Sequence, residues 1–182
     1  MRLAAERSRI AVYTFAEGLL SALAHDLEIV AQEVTGEANE TAEGPVAEVR
    51  VQVASLRVSG VMKRGKLEAS ILSAGDRDAI ARQVREDVLP GGDVVARTTP
   101  GGHGSRVAIE VRSACGVDRV TCDVALTNEE GNEDGARRAM RAKGRAELSL
   151  AALGSPPVKG PMGAFRVKDR VRVEFDLLFT SP

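Results

Sequence analysis

The sequence predicts a mainly β protein built from antiparallel strands, arranged either as a sandwich or as a closed barrel. Three observations predict this class: apolar and polar residues alternate in several segments, turn-forming residues separate those segments, and one stretch has clear helical spacing. A period of two is typical of a strand with one buried side and one solvent-facing side. Many strands with few helices favour an antiparallel layout over β-α-β units. Periodicity alone does not choose between the sandwich and the barrel.

Alternation along the chain predicts about eight strands. It is clearest in residues 49–53, 107–111, 120–126 and 171–179. Weaker candidates are residues 8–15, 26–37, 93–99 and 143–150. The parity of the apolar residues changes near Ala54 and Ser55, which predicts a bulge or a bend of the kind that lets a barrel turn.

One main helix is predicted over residues 76–89. Apolar residues recur there at four-residue spacing, namely Ile80, Val84 and Val88. Asp76 or Asp78 is the expected N-cap, and Pro90 followed by glycine ends the helix. A shorter helical turn is expected over residues 18–24.

Length and composition favour one soluble domain, and we expect residues 1–182 to form it, because 43% apolar content suffices for a substantial core. Lysine plus arginine (25) nearly balances aspartate plus glutamate (26), so the formal charge of −1 does not favour nucleic acid as a partner.

Residues 1–10 lack the apolar core of a secretory signal. No apolar run approaches the roughly 18–20 residues of an integral membrane segment. The expected location is the cytoplasm.

Five segments, taken in order, carry a resemblance to a known family. They are the opening strand 9–15 with the following 18–27, which contains His25-Asp26-Leu27; the strand 49–56, which ends in Ser-Leu; the helix with Leu89-Pro90; the hairpin 114–120 around Gly116-Val117-Asp118-Arg119; and the Val-x-Asp-x-Val pattern at 167–171. In this order the segments resemble the YceI family of isoprenoid-lipid-binding proteins. The version with His-Asp-Leu and without an export signal resembles a divergent cytoplasmic branch.

The resemblance implies an eight-stranded antiparallel barrel of the lipocalin-like kind, with the main helix in a crossover. It also implies an interior open to an isoprenoid or other long-chain lipid, and often a homodimer. The function implied is non-catalytic binding, carriage or sequestration of that apolar small molecule.

Candidate ligand-binding residues lie mainly on the parities expected to face the lumen. They are Phe15, His25, Val124, Leu148, Val173, Phe175 and Leu177. The last three share one parity of the longest alternating segment, so they face the lumen together or not at all. Small residues share the inward parities, namely Cys122, Ala142, Gly144 and Ala146.

Small wall residues leave two alternatives open, because an eight-stranded barrel is either filled by side chains or able to hold one ligand. A carrier needs roughly 300–1,000 Å³ of apolar space. If the valine-rich faces interdigitate instead, the barrel is filled and the protein is an interaction or scaffold domain without a ligand.

Enzyme chemistry is not expected. His25 and Asp26 are adjacent in the chain and would point to opposite faces of a strand, so they do not form a catalytic pair easily. A structural or head-group role for His25 is preferred, and a lipid hydrolase or isomerase acting through it is the remaining enzymatic alternative. Two distant histidines, His25 and His103, predict no metal site, and no cofactor motif is present.

Two further features have a structural and a functional interpretation. Cys115 and Cys122 flank a turn, and reduced thiols are expected rather than a redox pair. A basic run follows an acidic loop and consists of Arg137, Arg138, Arg141, Lys143 and Arg145. We expect these charges to form a self-neutralising surface, the alternative being contact with an anionic head group at a barrel rim.

Overall fold

The computed structural model describes residues 1–17, 26–41, 44–103, 105–129, 139–159 and 166–181. Within these residues the strands form one closed antiparallel barrel of eight strands, accompanied by a single helical segment. The predicted mainly β class is therefore confirmed, and of the two layouts that periodicity allowed, the chain adopts the barrel. The strands are β1 Arg2–Leu3, β2 Arg9–Thr14, β3 Ala16–Glu17, β4 Asp26–Ala31, β5 Val34–Thr41, β6 Gly44–Gln52, β7 Leu56–Lys63, β8 Lys66–Glu68, β9 Asp93–His103, β10 Arg106–Arg112, β11 Val117–Glu129, β12 Ala139–Ser149, β13 Arg166–Val167 and β14 Arg170–Thr180.

The barrel closes through the two ends of the chain. One edge of β14 pairs with β12, and the other pairs first with β2 and then with β1, where Leu3 lies opposite Phe179. β1 in turn pairs with β5 through Arg2 and Glu37. The wall therefore has eight strand positions, and three of them are each occupied by two strands in succession: β1 with β2, β4 with β5, and β6 with β7. Both edges of every position are paired.

The wall bends where the parity of the sequence changes. A 3-10 turn at residues 53–55 separates β6 from β7, which confirms the predicted bend near Ala54 and Ser55. The Ser55 hydroxyl holds this turn, because it donates to the Gln52 carbonyl at 2.8 Å and accepts from the Glu33 amide at 3.0 Å. Glu33 lies in the short break between β4 and β5. The Ser55 hydroxyl therefore links this break to the bend between β6 and β7.

The helix begins earlier than the sequence predicted. Helix α1 spans Ala74–Gln83 and continues as a π-helical turn over Val84–Val88. Ser73 is the N-cap, not Asp76 or Asp78: its hydroxyl accepts from the Asp76 amide at 3.1 Å, and the Asp76 carboxylate accepts from the Ser73 amide at 3.1 Å. The aspartate is thus the partner within a capping box. The helical turn expected over 18–24 lies outside the described residues.

Hydropathy along the described helical residues is too low for a membrane span, since no helix there is both long and apolar enough to cross a bilayer. Ile80 and Val84 are partly buried and pack against the main core cluster. The helical spacing noted in the sequence therefore marks the side that contacts the barrel.

A polar cluster is buried on the outer face of the barrel. Glu28 of β4 is only 6% exposed; it accepts from the Tyr13 hydroxyl at 2.9 Å and pairs with the Arg9 guanidinium at 2.9 Å. Burial alone would raise the pKa of the Glu28 carboxyl, but the hydrogen bonds from Tyr13 and Arg9 outweigh it and hold that pKa below its usual value. Burial and the hydrogen bond to Glu28 raise the pKa of Tyr13. The guanidinium of Arg172 stacks 4.7 Å from the centre of the Tyr13 ring.

Close packing between β12 and β14 depends on a glycine, Gly144. Gly144 of β12 lies opposite Phe175 of β14, and a Cβ added at Gly144 would come within 2.5 Å of the Phe175 ring and 2.9 Å of the Asp123 carbonyl oxygen. Only a residue without a side chain lets the ring lie against the backbone of the neighbouring strand.

Replacing Glu28 by glutamine should destabilise the protein in a pH-dependent way. The folded pKa of Glu28 is depressed, so its ionised form stabilises the fold above the usual carboxyl pKa, and this stabilisation is lost as the pH falls through the folded value. We expect Glu28→Gln to lower the free energy of unfolding by about 1–3 kcal/mol at neutral pH and by much less near pH 3. Urea unfolding at both pH values measures the difference.

The matched control is Glu147→Gln on β12, where the side chain is exposed and the expected change is within about 0.5 kcal/mol. An equal loss of stability at both pH values for Glu28→Gln would contradict the role assigned to its charge.

Replacing Gly144 by alanine should also destabilise the barrel, by about 1–3 kcal/mol, because the Cβ overlaps a ring and a backbone oxygen. Gly75→Ala is the control, since a Cβ there meets only the Ser73 hydroxyl at 3.8 Å in the first turn of α1. Thermal unfolding compares the two variants. Equal melting temperatures would show that Phe175 moves aside without cost.

Candidate functional site

The candidate site is a cavity of about 230 Å³ inside the barrel. Inward-facing side chains from β2, β6, β9, β10, β11, β12 and β14 form its wall. Arg97 and Thr98 are the polar residues of the lining within the described part of the chain. Both carry other contacts: Arg97 pairs with Glu48 at 2.6 Å, and the Thr98 hydroxyl accepts from the Ala47 amide at 2.9 Å. The wall therefore offers almost pure hydrocarbon to an occupant.

Several apolar side chains point into the barrel without being buried there. Val107, Ile109, Val120, Val173 and Phe175 all line the cavity, yet each is only half-buried. Side chains of this type in a filled barrel would contact one another and exclude solvent. Their partial exposure shows that the side chains leave space in the interior.

The two ends of the cavity differ. Leu126 lines one end and is 45% exposed, so this end opens to solvent. Leu153 lines the other end and is 4% exposed, with Leu148 and Leu150 beside it. We call the first end the mouth, at Leu126, and the second the floor, at Leu148, Leu150 and Leu153.

Small side chains account for much of the space. Ala142 and Ala146 of β12 line the cavity, and Gly144 between them is covered by the Phe175 ring. Cys122 on β11 is buried in the adjoining core. These are the small residues that the sequence assigned to the inward parity.

The structure brings five of the seven candidate residues together on the cavity wall. They are Val124, Leu148, Val173, Phe175 and Leu177. Val173, Phe175 and Leu177 lie on the same side of β14, and this side faces the lumen.

Phe15 lies elsewhere. Ile10 and Val12 line the cavity, so the odd-numbered residues of β2 face outward, and Phe15 directly follows the end of this strand. The Phe15 ring lies 5.6 Å from the guanidinium carbon of Arg172, beside the outer polar cluster. Phe15 therefore belongs to the outer face and is withdrawn from the candidate lining. His25 falls outside the described residues.

Leu150 ends the predicted segment 143–150 and shares the parity of Leu148, although it was not among the candidate ligand-binding residues. Sequence reasoning missed two other lining residues: Leu153 follows the end of β12, where the period of two stops, and Leu89 follows the helical segment. Loop residues have no periodic pattern that indicates an inward side chain. A leucine within Ala-Ala-Leu-Gly, next to a turn, was the one available signal.

The two cysteines occupy different surroundings. Cys122 is buried opposite Val107, whereas Cys115 is exposed in the turn between β10 and β11. Burial raises the pKa of the Cys122 thiol, which keeps it in the less reactive protonated form. The expectation of reduced thiols stays a prediction.

Part of the basic run is neutralised by one carboxylate. Asp176 of β14 pairs with Arg141 at 2.7 Å and with Lys143 at 2.9 Å. Burial would raise the pKa of Asp176, but these two cations outweigh it and lower that pKa. Arg137 and Arg138 lie outside the described residues. The contacts of Arg141 and Lys143 therefore agree with the expected self-neutralising surface.

Chemically, the cavity wall is suited to holding an apolar molecule. In the described residues, no three histidine, cysteine or acidic side chains group closely enough to hold a metal ion. The arrangement offers shape and hydrocarbon contact to an occupant.

Comparison with known proteins places this architecture among solved structures. No protein-family model matches the sequence, and no curated protein matches it. The structure of BcnA from Burkholderia cenocepacia superimposes with a TM-score of 0.65 at 13% identity, covering 97% of this chain and 99% of that chain. A YceI protein of Campylobacter jejuni superimposes with a TM-score of 0.59 at 6% identity, covering 85% of this chain and 84% of that chain.

At such low identity the likeness concerns the path of the backbone over nearly the full length of both proteins. The closed eight-stranded barrel of this chain agrees with that likeness. The chain therefore has a YceI-like fold.

Proposed function

We propose that this protein binds an apolar small molecule inside the barrel and acts as a non-catalytic carrier or sequestering protein for it. A prenyl or other lipid chain is the proposed class of ligand. The observation that carries the proposal is the half-buried state of the inward-facing valine, isoleucine and phenylalanine side chains around the cavity. Enclosing a hydrocarbon chain there removes apolar surface of both partners from water.

The cavity of about 230 Å³ is smaller than the roughly 300–1,000 Å³ that the sequence analysis expected of a carrier, so it does not enclose a long chain whole. A short chain fits this volume. An apolar protein cavity of about 150 Å³ holds benzene, and in proportion about 230 Å³ holds roughly nine carbon atoms, close to two isoprene units. A filled barrel without a ligand is less well supported, because its inward side chains would be buried.

The expected affinity follows from this size. Two buried isoprene units contribute up to about 8 kcal/mol. Association costs at least about 4 kcal/mol, which leaves about 4 kcal/mol and a Kd on the order of 1 mM for the enclosed chain alone. A tighter ligand must gain further contact at the mouth, where Leu126 is exposed.

The non-catalytic part of the proposal is supported by the chemistry of the lining, in which the described polar residues Arg97 and Thr98 already bond to other groups. The cytoplasmic location and the homodimer remain predictions of the sequence analysis.

Val173→Trp should weaken binding, because the larger side chain occupies part of the cavity. We expect the Kd of a ten-carbon prenyl alcohol to rise at least about tenfold, as several buried carbon contacts are lost. Two-dimensional NMR titration measures this weak affinity and shows whether the shifted signals belong to the cavity wall. Overpacking can itself cost about 1–3 kcal/mol of stability, so thermal unfolding is recorded in parallel.

The matched control is Val46→Trp. Val46 is 46% exposed on β6 and has the parity opposite to the lining residues Ala47 and Val49. This variant should bind as the wild type does. The proposal is wrong if a folded Val173→Trp variant binds equally well, or if no prenyl or alkyl chain binds the wild type at millimolar concentration.

A further inference from the structure

The floor of the cavity is a short loop after β12. Residues 149–155 cross the end of the barrel opposite the mouth, and Leu153 points from this loop into the cavity. At 4% exposure, Leu153 separates the cavity from solvent at this end. A chain that enters at the mouth therefore meets Leu153 at the end of its path.

Hydrogen bonds from three other parts of the chain hold this loop. The Ser149 amide donates to Asp118 at 2.7 Å, at the start of β11. The Ala151 amide donates to Asp169 at 2.8 Å, in the turn before β14.

The third bond holds Leu153 itself. The Ser113 hydroxyl, after β10, donates to the Leu153 carbonyl at 2.6 Å. A loop anchored at three separate points, one of them on the residue that lines the cavity, has little freedom to swing away from the barrel.

The loop is also supported from behind. The turn between β10 and β11 packs against it so closely that a Cβ at Gly116 would overlap the carbonyl oxygen of Ala152. A Cβ at Gly154 would lie 2.5 Å from the Cβ of Cys115, and Gly154 has a φ of 85°, which favours glycine. The loop therefore has backbone directly behind it and no room to retreat when a ligand presses on Leu153.

We propose that Leu153 is the stop that sets the length of the enclosed chain, so that about ten carbon atoms enter and the remainder of a longer chain stays outside. This inference rests on the proposed function and adds a chain-length preference to it. The specificity comes from a fixed leucine at the floor, while the mouth end at Leu126 opens to solvent.

The test measures affinity as a function of chain length. Two-dimensional NMR titration of the wild type with prenyl alcohols of five, ten, fifteen and twenty carbon atoms should show at least about a tenfold gain in affinity from five to ten, and less than about a threefold gain for each longer step. In Leu153→Ala, the ratio of fifteen-carbon to ten-carbon affinity should rise at least about fivefold, because the floor recedes. In Leu153→Phe, the ten-carbon alcohol should lose about tenfold while the five-carbon alcohol keeps its affinity.

Leu67→Ala is the matched control, because Leu67 is 45% exposed on β8 and is not part of the lining described. Its length profile should equal that of the wild type. If Leu153→Ala does not fold, the comparison uses two other variants. Leu153→Val is a milder change that enlarges the cavity at the floor, and Leu153→Phe shortens it.

The outcomes separate this inference from the proposed function. Wild-type affinity that keeps rising steeply up to twenty carbon atoms, or folded Leu153 variants with the wild-type profile, would overturn the stop and leave the carrier standing. Failure of every chain to bind the wild type would overturn the carrier itself, and the stop with it.

Discussion

Closure of the hydrogen-bonded ring is the constraint on which the rest of this structure depends. β1 pairs with both β14 and β5, so the beginning and the end of the chain complete one wall. In a closed wall every strand has one side toward the lumen, and a period of two then assigns each residue to the inside or the outside. Eight strands also set the width of the lumen, which is just enough for side chains or for one small ligand.

Within that width, the size of the inward side chains decides how much space remains. Alanines on β12 and valines on β10 and β11 are too short to meet across the lumen, so they stay half-buried or line the cavity. Gly144 has the opposite effect at one point, because it lets Phe175 lie close to the wall and keeps the ring out of the centre. The same wall buries Glu28 on its outer side, where Tyr13 and Arg9 compensate its charge.

The ends of the barrel give the cavity a direction. At the floor, an anchored loop places Leu153 across the lumen, and the turn behind it leaves no space for movement. At the mouth, the lining reaches solvent through Leu126. Under the proposed function, a cavity with one open end would orient a chain-like ligand with its polar part in water, because Arg97 and Thr98, the polar residues of the described lining, already bond to other groups.

The sequence by itself determined most of the strand segments, the parity of β14 with Val173, the bend near Ser55 and the presence of one helix, because these follow from periods and turn chemistry within a few residues. It did not separate β4 from β5 within residues 26–37, and it did not predict β7 as a strand. Its resemblance to a family pointed to the eight-stranded barrel. Only the tertiary structure decided that Leu153 closes the floor and that Phe15 faces outward. Those features depend on pairing and hydrogen bonds between segments far apart in the chain, and no local pattern in the sequence encodes which distant backbone a loop will meet.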